Sequence, residues 1–509
     1  MYEDINFDYD YALGFFQPNF STPESIKNGV VYQIFPERFR NGDTTNDPVG
    51  NGSSGDLLWA KWDDNGDGKI DRRDSSSNAY AKKQTNWFAT PEGSSDWFGG
   101  DLQGIIDQAA YLKDLSGYLG KLNRNSDGTF THDTAGSMNV YSNLSTMLSN
   151  HGINLIIDGV FNHSSANHPW FDRWKKSSVV GAYESQSSSY YDYYKFNTWN
   201  HEYVSWWGYK NIPELQEVQG FKDYVYNGTN SVIKYWNGYG LDGWRMDVAN
   251  EVSHQFWSGF RPAYKTINSN GYLLAEEWGR ATAYLLGDQF DGVMNYRFRD
   301  NVLNWLKENI DSTLFGENML SVIEDYPRES LLASTNLLDS HDTTRVLNEF
   351  SGNKDKVKLA AMIQMTWPGV PMIYYGDEVG LAGGADPDNR RTYPWADLGG
   401  NPDTSMLQHY KALISIRKTY SVLRTGSLKM KYVSGDVVVV GREDASTNPD
   451  ALTAYNRSTS NQTITISVSD MNIANGTVFK DVWNGVSYTV SSGNVTFTVP
   501  AGTAAILVS

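Results

Sequence analysis

Four short stretches end an apolar run in a carboxylate beside an Arg, His or Trp: Asp158-Gly159-Val160-Phe161-Asn162-His163, Gly243-Trp244-Arg245-Met246-Asp247, Leu274-Ala275-Glu276-Glu277-Trp278 and Leu338-Asp339-Ser340-His341-Asp342. Two of these acids keep contrasting company. Arg245 stands two residues before Asp247, on the same face of an extended strand, and its charge favours the ionised carboxylate. Glu276 follows Leu273-Leu274-Ala275 and precedes Trp278, an apolar setting that raises a carboxyl pKa and keeps a proton to donate. One carboxylate held charged beside one held protonated is what acid–base chemistry uses. Glu277 points to the other side of the strand and is expected to be structural.

A solvated turn needs no apolar run, and a core strand needs no acid. The four stretches therefore read as buried parallel strands whose C-terminal ends present charged side chains, where a barrel keeps its chemistry. The first strand candidate is Gly29 to Phe35, after about 27 polar and aromatic residues. Further candidates are Ile153 to Asp158, Leu241 to Asp247, Tyr272 to Glu276, Asp291 to Asn295, Thr335 to Leu338 and Pro371 to Tyr375. Helical patterns such as Val252 to Ile267 and Lys356 to Thr366 separate them. The pattern is that of an α/β protein with a (β/α)8-type barrel over residues 28–163 and 241–422. Residues 164–240 are too long for a βα loop and rich in Tyr, Trp, Ser and Asn, which suggests a subdomain inserted over the barrel mouth after strand 3. From 423 to 509, short β runs broken by Gly, Asn and Ser predict a C-terminal antiparallel β-sandwich.

Composition narrows the partners. The 509 residues carry 42 Lys and Arg against 59 Asp and Glu, a net charge of −17 without a basic run, which argues against nucleic acid and anionic membranes. With no cysteine, disulfides, thiolate catalysis and cysteine-bound zinc are excluded. No apolar segment approaches the ~20 residues needed to span a bilayer. Met1-Tyr2-Glu3-Asp4 lacks the features of a signal peptide, so the chain is expected to be extracellular with its signal removed, with a cytoplasmic location as the alternative. Seventeen Trp and 32 Tyr provide flat faces of the kind carbohydrate sites use, although plain packing would also employ them.

These motifs, in this order, resemble the α-amylase family of glycoside hydrolases over nearly the whole chain. Gly243 to Val252, Asn336 to Thr343 and Gly383 to Arg391 are similar to the neopullulanase, cyclomaltodextrinase and maltogenic amylase group. The resemblance implies retaining hydrolysis of α-1,4-glucosidic bonds in starch, maltooligosaccharides and related glucans such as pullulan or cyclodextrin. It assigns Asp247 as nucleophile, Glu276 as general acid/base and Asp342 as the third acid, which grips sugar hydroxyls. Spacing to Trp278 selects Glu276 over Glu277. Substrate contacts are implied for Arg245, His163, His341, Trp278, Glu251, Asp386, Arg390 and His132. Asp386 and Arg390 read equally as a loop salt bridge. The short stretch before the first strand leaves no room for the extra N-terminal β-domain of that group, so an open cleft and a monomer are expected. A glucanotransferase and a non-catalytic glucan-binding homologue stand as alternatives.

Two calcium (Ca2+) sites are expected. Asp63, Asn65, Asp67, Lys69 (through its carbonyl), Asp71 and Asp74 occupy the ligand positions of an EF-hand-type loop, with Gly68 and Ile70 inside it. The resemblance implies a second site of Asn41, Asp43, Asn46, Asp47, the carbonyl of Gly99 and Asp101. One region departs from the family. Residues 116–134 contain no apolar run long enough for a buried strand, and His132 stands where the Tyr that stacks on the reacting sugar would be. The expectation is a barrel irregular at its second strand, with that side mobile or loop-covered, and weak activity.

Overall fold

The computed structural model describes residues 16–43, 86–91, 96, 98–115, 118–120, 134–175, 177–444 and 450–509. His132 and the proposed ligands Asn46, Asp47, Asp63, Asn65, Asp67, Lys69, Asp71 and Asp74 lie outside the described residues.

Strands are numbered in chain order: β1 (Val31–Gln33), β2 (Tyr118–Gly120), β3 (Asn154–Gly159), β4 (Phe196–Thr198), β5 (Glu202–Tyr203), β6 (Gly243–Met246), β7 (Tyr272–Ala275), β8 (Gly292–Val293), β9 (Thr335–Leu337) and β10 (Val370–Tyr374). Among the described residues, eight of them pair in parallel in the order β8-β7-β6-β3-β2-β1-β10-β9. A parallel bridge between Met294 and Thr335, with Asn295 N donating to Thr335 O at 2.8 Å, joins the two ends of that sheet. Gly292 makes the seam possible, because a Cβ there would lie 2.4 Å from Ala333 O.

The pleat sorts the side chains. Val31, Ile156, Leu274, Met294 and Met372 meet in the barrel interior, whereas their neighbours Tyr32, Ile157, Leu273 and Ile373 join the larger core under the helices. Both faces are thus buried, which explains the apolar runs. The helix His254–Ile267 follows β6 and the helix Lys354–Thr366 precedes β10, within two residues of the sequence expectation.

The second strand corrects that expectation. Tyr118–Gly120 pairs with β1 (Val31↔Tyr118) and with β3 (Tyr118↔Asn154), so the barrel has a regular, if short, strand where none was expected. A three-residue strand with a neighbour on each side is held by its backbone ladder and needs no long apolar run.

Between β3 and β6, the hairpin β4–β5 and a cluster of Phe171, Tyr194, Tyr203, Ala166 and Ala182 form the inserted segment. Leu215 N donating to Asn162 O at 2.9 Å and a bridge between His163 and Glu214 tie it to the end of β3. Beyond the barrel lie β11 (Ser427–Ser434), β12 (Val437–Glu443), β13 (Ala451–Asn456), β14 (Gln462–Ser467), β15 (Val478–Asp481), β16 (Ser487–Thr489), β17 (Asn494–Val499) and β18 (Thr503–Val508). They form an antiparallel sheet β11-β12-β13-β18-β15-β16 and a pair β14-β17 around a separate core. Arg442 Nη1 donating to Thr366 O at 2.6 Å and Thr366 Oγ1 bonded to Tyr455 OH at 2.8 Å fasten this part to the barrel. Among the described residues no helix is long and apolar enough to cross a membrane.

Candidate active site

In β6, Trp244 and Met246 pack outward among the helices, so Arg245 and the following Asp247 turn to the barrel axis. In β7 the same alternation sends Leu273 and Ala275 outward and Leu274 and Glu276 inward. The pleat therefore chooses between the adjacent glutamates. Glu277, on the other side, accepts a hydrogen bond from Gly279 N at 2.7 Å and closes a turn.

Arg245 is the hub of the site. Its Nη1 donates to Asp158 Oδ1 at 2.7 Å and to Asp247 Oδ1 at 2.6 Å, and its Nη2 lies 2.7 Å from Glu276 Oε2. Below it is a cavity of about 40 Å³ walled by Val31, Ile156, Leu274, Met294 and Met372. The guanidinium is buried, which disfavours its charge, yet the three carboxylates outweigh burial and raise its pKa well above normal. Asp158 stands in the sequence motif without a role; in the structure it accepts from Arg245 Nη1 and helps to hold that guanidinium in place.

Glu276 is buried, and desolvation holds its carboxyl above the usual range against the opposing pull of Arg245, with Asp247 and Asp342 adding to the rise. Its Oε2 also accepts from Val248 N at 2.9 Å. Val248 sits in the left-handed region at φ 41° and ψ 54°, a conformation a β-branched residue rarely adopts. That kink aims its amide at Glu276, and nothing in the sequence announces it. Trp278 Nε1 donates to Glu276 Oε1 at 3.3 Å, while its ring stacks on buried Tyr296 (4.1 Å, 12°) and stays 48% exposed on the other face.

A second group converges from β9 and the loop after β10. His341 Nε2 lies 3.1 Å from Asp342 Oδ2, and Arg390 Nη2 reaches Asp342 Oδ1 at 3.5 Å. Arg390 Nε also contacts Asp386 Oδ1 at 3.3 Å and donates to His341 O at 3.0 Å, so the loop salt bridge and the link to the site coexist. Gln33 Nε2 lies 3.1 Å from His341 Nδ1. When Gln33 donates there, the proton of a neutral His341 resides on Nε2, facing Asp342. Gln33 was not singled out from sequence.

On the opposite flank, His163 stacks on Trp206, and burial lowers its pKa although Asp247 and Glu251 pull it upward. Glu251 accepts from Asn162 Nδ2 at 3.0 Å and Trp207 Nε1 at 3.1 Å. Asp247, Glu276, Asp342, Arg245, His163, His341, Trp278 and Glu251 are thus assembled in one region, with Asp386 and Arg390 at its rim.

For calcium, Asp101 Oδ1 accepts from Gly42 N and Gly104 N and its Oδ2 from Asp43 N, at 2.7 to 3.1 Å. It caps the helix Leu102–Ile106 and folds residues 41–43 against it. Gly99, at φ 91°, supplies the turn before it. Among the described residues no three Asp, Glu or His side chains gather closely enough to hold an ion.

Comparison with known proteins adds an independent line. A family model described as "Alpha amylase, catalytic domain" matches residues 33–397. An amylopullulanase of Thermoanaerobacterium saccharolyticum is 37% identical over 98% of this chain and 43% of its own length. A cyclomaltodextrinase of Bacillus sp. is 35% identical over 84% of this chain and 72% of its length. A solved cyclomaltodextrinase structure superposes with a TM-score of 0.77 at 31% identity, covering 96% of this chain and 79% of that one. The chain spans less than half the length of the amylopullulanases it matches.

Proposed function

The chain belongs to the α-amylase family, and from that premise we propose that it hydrolyses α-1,4-glucosidic bonds of starch-like glucans and maltooligosaccharides with retention of configuration. Asp247 is the nucleophile, Glu276 the general acid and then base, and Asp342 the hydroxyl-gripping acid. One observation carries the reading: a single guanidinium touches both Asp247 and Glu276, and burial raises the Glu276 carboxyl so that it can hold a proton to donate. Two carboxylates on one cation favour the close spacing of the double displacement, about 5 Å, over the wider gap that admits a water, ~6.5–9.5 Å. Attack by Asp247 on the anomeric carbon then breaks the bond as Glu276 protonates the leaving oxygen. Water, deprotonated by Glu276, releases the sugar from the opposite face.

Relatives named cyclomaltodextrinase and neopullulanase make cyclodextrins and pullulan the next substrates to try. Calcium is proposed at loop 63–74 and around Asp101; the ligand spacing in the sequence supports the first, and the family resemblance of residues 41–47 and 99–101 supports the second. Incubation with soluble starch tests the activity. New reducing ends are expected, and their absence would leave a glucan-binding homologue.

A further inference from the structure

We infer that Trp207 is a stacking platform for one glucosyl ring of an α-glucan chain leaving the catalytic cleft along the inserted segment. The inference rests on the proposed reading of the site as an α-glucan site. Trp207 is 75% exposed, the most open large apolar side chain among the described residues. It adopts φ 49° and ψ 25°, a left-handed backbone that disfavours any residue with a Cβ and that glycine would hold without strain. An exposed indole in a strained turn adds little to the core, and such outliers persist where they serve a site.

Its position is fixed from two sides. Nε1 donates to Glu251 Oε1 at 3.1 Å, and the ring lies over Trp206 at 4.9 Å and 23°. Trp206 in turn stacks on His163 at 4.9 Å and 23°. His163 feels the charge of Asp247. Three near-parallel rings therefore step outward from the catalytic carboxylates, and only the outermost is largely open. An anchored flat apolar face beside hydrogen-bonding groups suits the C–H face of a sugar ring, whose hydroxyls stay in water. A glucan continuing past the cleaved bond on this flank meets Trp207 after His163.

The test uses the full chain carrying Glu276→Gln, which binds without turning over, with maltotriose and maltoheptaose as probes in calorimetric titrations. Adding Trp207→Ala should weaken maltoheptaose binding roughly five- to tenfold and maltotriose binding less than about twofold. In the active chain the ratio of kcat/KM for maltoheptaose to that for maltotriose should fall by a similar factor, through KM. Trp207→Gly should show the same loss with Tm unchanged or raised, because it relieves the left-handed strain. An unchanged length dependence overturns the inference, as does a drop in Tm with unaltered binding, which would make Trp207 a peg for Glu251. Failure of the Glu276→Gln chain to bind either oligosaccharide overturns the α-glucan reading with it. Length-dependent binding by a chain that never hydrolyses starch leaves the platform standing and removes only the activity.

Discussion

Two acid clusters in this barrel are each built around one buried arginine, and only one of them opens to the cleft. Around Arg245 lie Asp158, Asp247 and Glu276, with the Asp247 side chain 20% exposed and that of nearby Asp342 30% exposed. Around Arg345 lie Asp377, whose Oδ1 is 3.2 Å from Nη1, and Asp339, whose Oδ2 accepts from Val346 N at 2.6 Å; Tyr374 and Tyr375 pack on the guanidinium. All of this second group is sealed, and Glu378 beside it is bonded to Tyr32 and Tyr111. Burial raises carboxyl pKa values in both clusters. A perturbed acid therefore does not by itself mark a catalytic site here; access from the cleft separates chemistry from architecture.

Breaking each cluster should give opposite phenotypes. The largest effect is expected from Asp247→Asn or Glu276→Gln, each lowering kcat by about three orders of magnitude or more with the circular dichroism spectrum unchanged. Arg345→Met should instead lower unfolding free energy by about 3–5 kcal/mol, because it strands buried acids, while kcat per folded molecule changes little. Denaturant titration alongside active-site titration separates the two. Equal loss of activity without loss of stability would erase the distinction.

Calcium removal comes next. A metal that binds only the folded chain stabilises it by about 3 kcal/mol when present at a hundredfold over Kd, so chelation should lower Tm by several degrees. Elemental analysis of Asp67→Ala should show one ion fewer. An unchanged melting curve together with no bound metal would remove both proposed sites.

The pH profile sharpens the account of Glu276. The first step needs this carboxyl protonated, so kcat/KM must fall as pH rises through its pKa. Because desolvation, with Asp247 and Asp342, lifts that pKa above 4.5, the alkaline limb should lie above the range of a free glutamate. A limb at or below 4.5 would mean that Arg245 dominates. The smallest effect is expected for Glu277→Gln, less than about threefold in kcat, since its carboxylate only closes a turn onto Gly279 N.

The strand ends were legible because β6 and β7 combine an apolar run with an acid, and the period of two then distinguishes Glu276 from Glu277. β2 was not legible: three residues held by backbone on both sides leave no hydrophobic signature. With the strand present, the expectation of weak activity rests on His132 alone. Asp339 and Asp342 share one motif and look alike in sequence, yet one is sealed against Val346 and the other opens toward Arg390. The left-handed Val248 and Trp207 follow from tertiary context that overrides local preference. The abundance of Trp and Tyr in residues 164–240 was visible, but the stack from His163 to Trp207 requires β3 and the inserted segment to be brought together.

Double displacement on Asp247 with Glu276 as proton donor fixes the configuration of the first sugar released. Proton NMR of the first sugar released from maltooligosaccharides, recorded before mutarotation, reads its stereochemistry directly. The α-anomer is predicted, because two successive inversions restore the starting configuration. Initial release of the β-anomer would contradict the account.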